Sequence, residues 1–158
     1  MPFFNTTPEK TEQQIEAINN HLKLDFKRTT DQFDRFDAID IFNNARLECK
    51  NRNCIASAFP DTIIGKNKYD CWKEYYKDCD FYVTFMFQDG LYYFKFDKDK
   101  TLQEQDLFTS KNHIDKVYNK HANFDKEHIN IPVHLLIPIG NSRPITPPIQ
   151  RGVCCIRL

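Results

Sequence analysis

No stretch of this chain is apolar for long enough to cross a bilayer, and its start, Met1-Pro2-Phe3-Phe4-Asn5, has neither the basic region nor the long apolar run of a secretory signal. A cytoplasmic setting is expected, with no membrane partner. The six cysteines, at 49, 54, 71, 79, 154 and 155, form no C-x-x-C pair. Their spacings match no familiar zinc or thiol site, and without a signal they are expected to be reduced thiols. Net charge is lacking too: 22 Lys and Arg balance 22 Asp and Glu, so the chain does not have the overall basicity of a protein that grips nucleic acid electrostatically. Glycine is scarce, at four residues, whereas Asn, Lys, Asp, Ile and Phe are abundant, the composition of an AT-rich genome. There is no internal repeat or low-complexity run. What is there is 158 residues with 41% hydrophobic and 14% aromatic content, enough for one domain, residues 1–158, with a real core.

The neutral average conceals a cluster. Lys23, Lys27, Arg28, Arg35, Arg46, Lys50, Arg52, Lys66 and Lys68 lie close together in sequence, while much of the acid falls between Asp70 and Asp125. Inside the basic region, Arg35-Phe36-Asp37-Ala38-Ile39-Asp40 is separated from Arg46-Leu47-Glu48-Cys49-Lys50 by an Asn43-Asn44 break. This reads as a β-hairpin. With a two-residue turn, Phe42 lies opposite Ala45, Ile39 opposite Glu48 and Asp37 opposite Lys50. Side chains alternate along a strand, so Asp37, Glu48 and Lys50 share a face, and Asp40 points the other way with Leu47 and Cys49. Two neighbouring carboxylates repel unless something positive lies between them. Mg²⁺ commonly occupies a site of one or two carboxylates completed by waters and substrate phosphate.

Other elements frame this hairpin. Thr7 can cap a helix that has Pro8 in its first position and runs to Leu22, with Ile15, Ile18 and Leu22 as its buried stripe. Residues 59–68 read as a short strand turning into a helix from Lys68 to about Asp78, with Tyr69, Trp72, Tyr76 and Cys79 on one face. Residues 81–87 and 91–96 are aromatic and β-branched runs joined by Gln88-Asp89-Gly90, a hairpin with Gly available for a positive φ. Both runs are apolar on both faces, as interior strands under helices should be. Residues 98–128 are polar, with a helix expected over 111–122; His113, His121 and His128 fall here without zinc-ligand spacing and read as surface residues. Strand character returns from Ile129 to Ile139, then an irregular Pro-containing segment, about 138–158, ends in a candidate last strand from Gly152.

An acid on one strand followed by Glu-x-Lys on the next, here Asp37 with Glu48-Cys49-Lys50, resembles the PD-(D/E)xK nuclease superfamily. Phe36 stands where a proline often precedes the first acid. The resemblance implies an α/β fold with a restriction-endonuclease-like core, a four-stranded mixed sheet flanked by helices, and hydrolysis of DNA phosphodiesters. It implies Asp37 and Glu48 as metal ligands with the backbone carbonyl of Cys49 as a third, Mg²⁺ as cofactor with Mn²⁺ able to substitute, and Lys50 acting on the attacking water. A further glutamate on the preceding helix would be Glu12, with Glu9 and Glu16 as alternatives. Lys66 or Lys68 would supply a basic residue at the strand-to-helix junction, and Arg52, two residues past Lys50 on the same face, is the preferred contact to a neighbouring phosphate. The small AT-rich form suits a phage-type or resolvase-like member working in a host cytoplasm.

Other readings stay open. A nuclease-like domain without chemistry would serve as a nucleic-acid-binding or virion/assembly component. An interaction module would use the same acids only for salt bridges to Lys50 and Arg46, which are of small energetic consequence at a surface. The balanced charge implies modest non-specific affinity for DNA, supplemented by a homodimer or another partner.

Overall fold

The computed structural model describes residues 8–30, 34–113 and 125–146. In chain order these form helix α1 (Pro8–Leu22), strands β1 (Lys27–Arg28), β2 (Ala38–Asp40), β3 (Ala45–Asn51) and β4 (Asp61–Gly65), helix α2 (Lys66–Tyr75), and strands β5 (Asp80–Phe87), β6 (Gly90–Phe96), β7 (Phe108–His113), β8 (Asp125–Pro132) and β9 (Ile137–Pro138). Six strands make a mixed sheet in the order β1-β2-β3-β5-β6-β9, with β3 and β5 parallel and the other neighbours antiparallel. Strands β4, β8 and β7 form a separate antiparallel sheet. The expected α/β class with a mixed sheet and helices holds, but the main sheet has six strands where the resemblance implied four.

Periodicity explains how the layers meet. Helix α1 buries Thr11, Gln14, Ile15 and Ile18, a stripe at i, i+3, i+4 and i+7. That stripe packs with Ala38, Ala45, Leu47, Cys49, Tyr82 and Tyr93, and Thr84 Oγ1 donates to Gln14 Oε1 at 2.7 Å, giving the buried amide a partner on β5. The opposite sheet face carries Phe81, Val83, Phe85 and Phe87, which pack with Tyr69 and Trp72 of α2 and with Ile129 and Ile131 of β8. Strand β5 is therefore apolar on both faces because both are covered. Each large side chain buried there contributes about 1.5–3 kcal/mol of transfer free energy. A parallel β3–β5 pair cannot be closed by a tight turn; β4 and α2 lie in the crossover between them.

The first hairpin departs from the expected one in its turn. Asp40 pairs with Ala45, Ile39 with Arg46 and Ala38 with Leu47, so the turn contains four residues, 41–44. Asp40 is the cause. Its buried carboxylate accepts the Asn43 N–H at 3.0 Å, Asn43 Nδ2 at 2.7 Å and the Asp25 N–H at 2.7 Å, and Asn44 takes the left-handed φ of 52° that the longer turn requires. The register moves by two residues, which keeps every side chain on its predicted face but brings Asp37 level with Glu48 rather than Lys50. Strand β2 is also shorter than expected. The chain bends over 35–37, and Phe36 enters the core on the α2 side, with its ring centroid 5.4 Å from that of Phe81 and 5.8 Å from that of Tyr76.

Further differences have local causes. Helix α2 starts at Lys66 and ends at Tyr75, because Tyr76 leaves helical geometry (φ −136°) and Trp72 Nε1 donates to the Cys79 carbonyl at 2.7 Å. Gly90 is not at positive φ; a Cβ there would crowd Ser142 Oγ at 3.0 Å, the acceptor of the Leu91 N–H. Strand β8 ends at Pro132, and a 3-10 turn over Val133–Leu135 precedes β9. Lys111–His113 belong to β7 rather than to the expected helix, whose remainder, like Thr7, His121 and the last expected strand, lies outside the described residues. Among the described residues, no helix is long and apolar enough to cross a membrane.

Burial pushes the Asp40 carboxyl up, but the N–H donors of Asp25, Asn43 and Phe42 outweigh it and hold it below its ordinary 3.8. Its stabilising contribution is thus present above pH 3.8 and lost as the pH falls through the lowered value. Asp40→Ala is expected to cost about 2–4 kcal/mol in urea denaturation at pH 7. The deficit against wild type should narrow in strong acid; an undiminished gap there would show that the carboxylate is not the stabilising group.

Candidate active site

Strand β3 alternates between the two covers. Ala45, Leu47 and Cys49 face α1, while Arg46, Glu48 and Lys50 face the α2 side. Where β2 bends, the regular ladder stops. The Asp37 N–H donates to the Leu47 carbonyl at 2.9 Å, and Asp37 Oδ2 accepts the Cys49 N–H at 2.8 Å. A side-chain carboxylate thereby takes the place of a backbone acceptor. The N–H and C=O of a strand residue point to the same side, so the Cys49 carbonyl also faces the edge where Asp37 stands.

The loop that carries Asp37 is held at several points. Phe36 anchors it in the core, the Thr29 hydroxyl donates to the Phe36 carbonyl at 2.8 Å, and Asp34 Oδ1 accepts the Phe36 N–H at 3.1 Å. From α2, Lys68 Nζ donates to the Arg35 carbonyl. The same ammonium lies 3.6 Å from Glu48 Oε2, and Lys50 Nζ lies 3.3 Å from that oxygen.

Glu48 is 4% exposed. Burial pushes its carboxyl up, Lys50 opposes this, the adjacent Asp37 charge pushes it further, Lys68 opposes again, and a hydrogen bond to Asp37 favours the protonated form; the result is about 7. Near neutrality Glu48 is therefore partly protonated. Loss of that proton leaves two carboxylates together beside the Cys49 carbonyl. This all-oxygen donor set fits Mg²⁺ or Mn²⁺; the Cys49 thiol is turned to the α1 face, and burial raises its pKa. Among the described residues, no group of three or more His, Cys, Asp and Glu is arranged to hold an ion, so backbone, water or phosphate oxygens would complete such a shell, as is usual for Mg²⁺.

Asp37, Glu48, Lys50 and Lys68 are thus brought together, and three other expected participants are not. Glu12 sits on α1, over the opposite face of the sheet, and its carboxylate lies 3.6 Å from Arg28 Nη1. Lys66 pairs with Asp70 one helical turn on, at 3.0 Å. Arg52, the preferred phosphate contact, is turned to the second sheet: its Nε donates to Thr62 Oγ1 at 3.1 Å, its Nη2 to the Ile63 carbonyl, and its guanidinium lies 5.6 Å from the Phe85 centroid. Of the basic candidates at the strand-to-helix junction, Lys68 is the one beside Glu48. The supporting roles of Thr29 and Phe36 escaped the sequence reading: alternation assigns Phe36 to the α1 face with Ala38, and the bend over 35–37 turns it to the α2 side instead. No protein-family model, curated protein or solved structure matches the chain.

The raised Glu48 value has a sign that can be measured. A carboxyl titrating higher in the folded than in the unfolded state contributes stability that is complete below pH 4.5 and is lost as the pH rises through about 7. That loss is on the order of 3 kcal/mol. Glu48→Gln offers Asp37 an amide N–H in place of the carboxyl proton, so it should flatten this part of the pH profile and exceed wild type in stability at pH 8, as read by urea denaturation across that range. A wild-type profile flat from pH 4.5 to 8 would contradict the buried pair. Separately, Arg52→Ala should lower stability by about 1–3 kcal/mol through its unpaired β4 acceptors, with the Glu48 titration unchanged by NMR.

Proposed function

We propose that the chain is a divalent-metal-dependent nuclease that hydrolyses DNA phosphodiesters and is akin to the PD-(D/E)xK superfamily and its restriction-endonuclease-like fold. The observation that supports this most is that Asp37 is fastened to β3 on either side of Glu48, its N–H on the Leu47 carbonyl and its Oδ2 on the Cys49 N–H at 2.8 Å, with Lys50 Nζ 3.3 Å from Glu48. Asp37, Glu48 and the Cys49 carbonyl would hold Mg²⁺, with Mn²⁺ as a substitute. The ion, when bound, makes water more acidic and offsets charge on phosphoryl oxygens. Lys50, a compact cation with three donors, orients the attacking water and neutralises the charge that grows on the phosphate in the transition state. Lys68 adds a second cation and, through the Arg35 carbonyl, keeps the Asp37 loop against the sheet.

A second reading has its own observation. Lys50 and Lys68 already compensate Glu48 in a nearly closed setting, as they would in a protein that keeps this cluster for structure and acts by binding nucleic acid or in a virion or assembly role. The two separate on metal. On the nuclease reading, millimolar Mg²⁺ or Mn²⁺ raises the melting temperature, and does so more at pH 8 than at pH 6 because the Glu48 proton must leave. Asp37→Ala abolishes the rise. Lys50→Ala keeps a rise but slows DNA cleavage by about 10²-fold or more. A rise without cleavage of linear, circular or branched DNA favours the silent protein, and no rise with either ion rejects the metal site.

A further inference from the structure

Next to the acid pair, the same sheet face opens into a groove of about 540 Å³ whose lining includes Lys27, Arg28, Asp34, Ile39, Ile41 and Arg46. Its cations are not equivalent. Arg28 lies opposite Ala38, on the α1 face, and its guanidinium is near Glu12. Lys27 lies opposite Ile39 and Ile39 opposite Arg46, so Lys27 and Arg46 share the face that carries Glu48. Arg46 is two residues before Glu48, about 7 Å along the strand. Its guanidinium is held over the Tyr76 ring, 4.5 Å from the centroid, and among the described residues no salt bridge joins it to a carboxylate. Lys50 and Lys68 lie on the far side of the acid pair. A line of positive charge therefore passes across the two carboxyls.

The hairpin turn forms one end of this groove, and half of it is not explained by turn formation. Asn43 and Asn44 do the work of the turn, one bonding to Asp40 and the other taking positive φ. Ile41 and Phe42 are 83% and 84% exposed. Turns favour Gly, Pro, Asn, Asp and Ser for their backbone chemistry, and neither apolar residue supplies it. An exposed aromatic ring beside a cationic groove is how proteins hold an unpaired strand: the cations follow the phosphates and the ring stacks on a base. A base within a duplex has both faces already stacked and offers nothing to such a ring.

We infer that the groove between Lys27, Ile39 and Arg46, with Phe42 exposed in the turn whose Ile41 and Asn44 line it, binds single-stranded nucleic acid and feeds it to the acid pair. The inference rests on the nuclease reading for the direction of travel, but not for the binding itself. The test is fluorescence anisotropy of a labelled single-stranded DNA oligomer, and of the same sequence as duplex, titrated with the full chain in Ca²⁺ over a range of salt. The single strand is expected to bind more tightly than the duplex. Phe42→Ala should weaken single-strand binding about five- to a hundredfold and leave the duplex unchanged. Lys27→Ala and Arg46→Gln should each lower the salt slope by about 0.7, one single-strand phosphate contact. Circular dichroism melting confirms that each variant folds, and Lys27 and Phe42 are exposed enough for their removal to spare the core.

Equal affinity for duplex and single strand with no effect of Phe42→Ala overturns the inference. So does displacement of the oligomer by polyglutamate at equal charge concentration, which would make the groove a site for acidic peptide, or a Phe42→Ala effect confined to self-association. Intact single-strand binding that depends on Lys27, Arg46 and Phe42, together with no cleavage in Mg²⁺ or Mn²⁺, supports the groove while rejecting the nuclease reading. Cleavage that is lost in Asp37→Asn but unaffected by Lys27→Ala, Arg46→Gln and Phe42→Ala has the opposite meaning: a nuclease whose substrate enters elsewhere.

Discussion

A carboxyl on a covered sheet face must find partners or give up its charge, and Glu48 does some of both. It lies on β3 at the centre of the six-stranded sheet, where its burial makes a lone carboxylate costly. Lys50 and Lys68 approach one of its oxygens, and burial beside Asp37 still holds its carboxyl up at about 7. The bend before β2, the Phe36 anchor and the tie from Lys68 to the Arg35 carbonyl all serve to place Asp37 there. The surrounding cores are built so that this cluster has a rigid frame: α1 on one side, and α2 with the second sheet on the other.

The two aspartates of the hairpin illustrate how burial and hydrogen bonding divide the work of one residue type. Asp40 is as buried as any apolar neighbour, yet the N–H donors around it keep it charged. It shapes the turn. Glu48 has cations and a second acid for company rather than a ring of N–H groups, and its proton is loosely held at neutral pH. The first environment gives rigidity, and the second gives a group whose charge changes near the pH of a cell.

Much of this was legible in the residues. Alternation in β3 and β5 and the helical stripe of α1 placed the layers, and the even shift of the hairpin left Asp37, Glu48 and Lys50 on the predicted face, since only an odd slip moves a strand's side chains across the sheet. What sequence spacing could not supply was the destination of long side chains. Arg52 and Lys50 are two apart on one strand, yet the Arg52 fork finds a hydroxyl and a carbonyl on β4, an element of the other sheet. Lys66 and Lys68 are equally basic and equally near the helix start, and only the packing of α2 against the sheet decides that Lys68 meets Glu48. The four-residue turn hid for a similar reason: the N–H of Asp25 that helps Asp40 hold it comes from the segment before β1. The separate sheet depends on β4 pairing with β8, a strand far along the chain, which local pattern does not announce.

The tie between Lys68 and the Arg35 carbonyl spans 33 residues and has a kinetic meaning. The β2–β3 hairpin has local contacts and can form early, on the microsecond scale of hairpins. Lys50 then accompanies Glu48 on β3, but the loop that carries Asp37 still lacks its Phe36 anchor and its Lys68 tie. Lys68 arrives only when the crossover has closed and β5 has docked in parallel along β3, a non-local step whose loop must be ordered before its contacts reward it. During that interval the two carboxyls lack their second cation and the apolar cover that belongs to α2. In an assembly that begins with the hairpin, the acidic centre stays open to solvent until β5 has docked along β3 and α2 covers it.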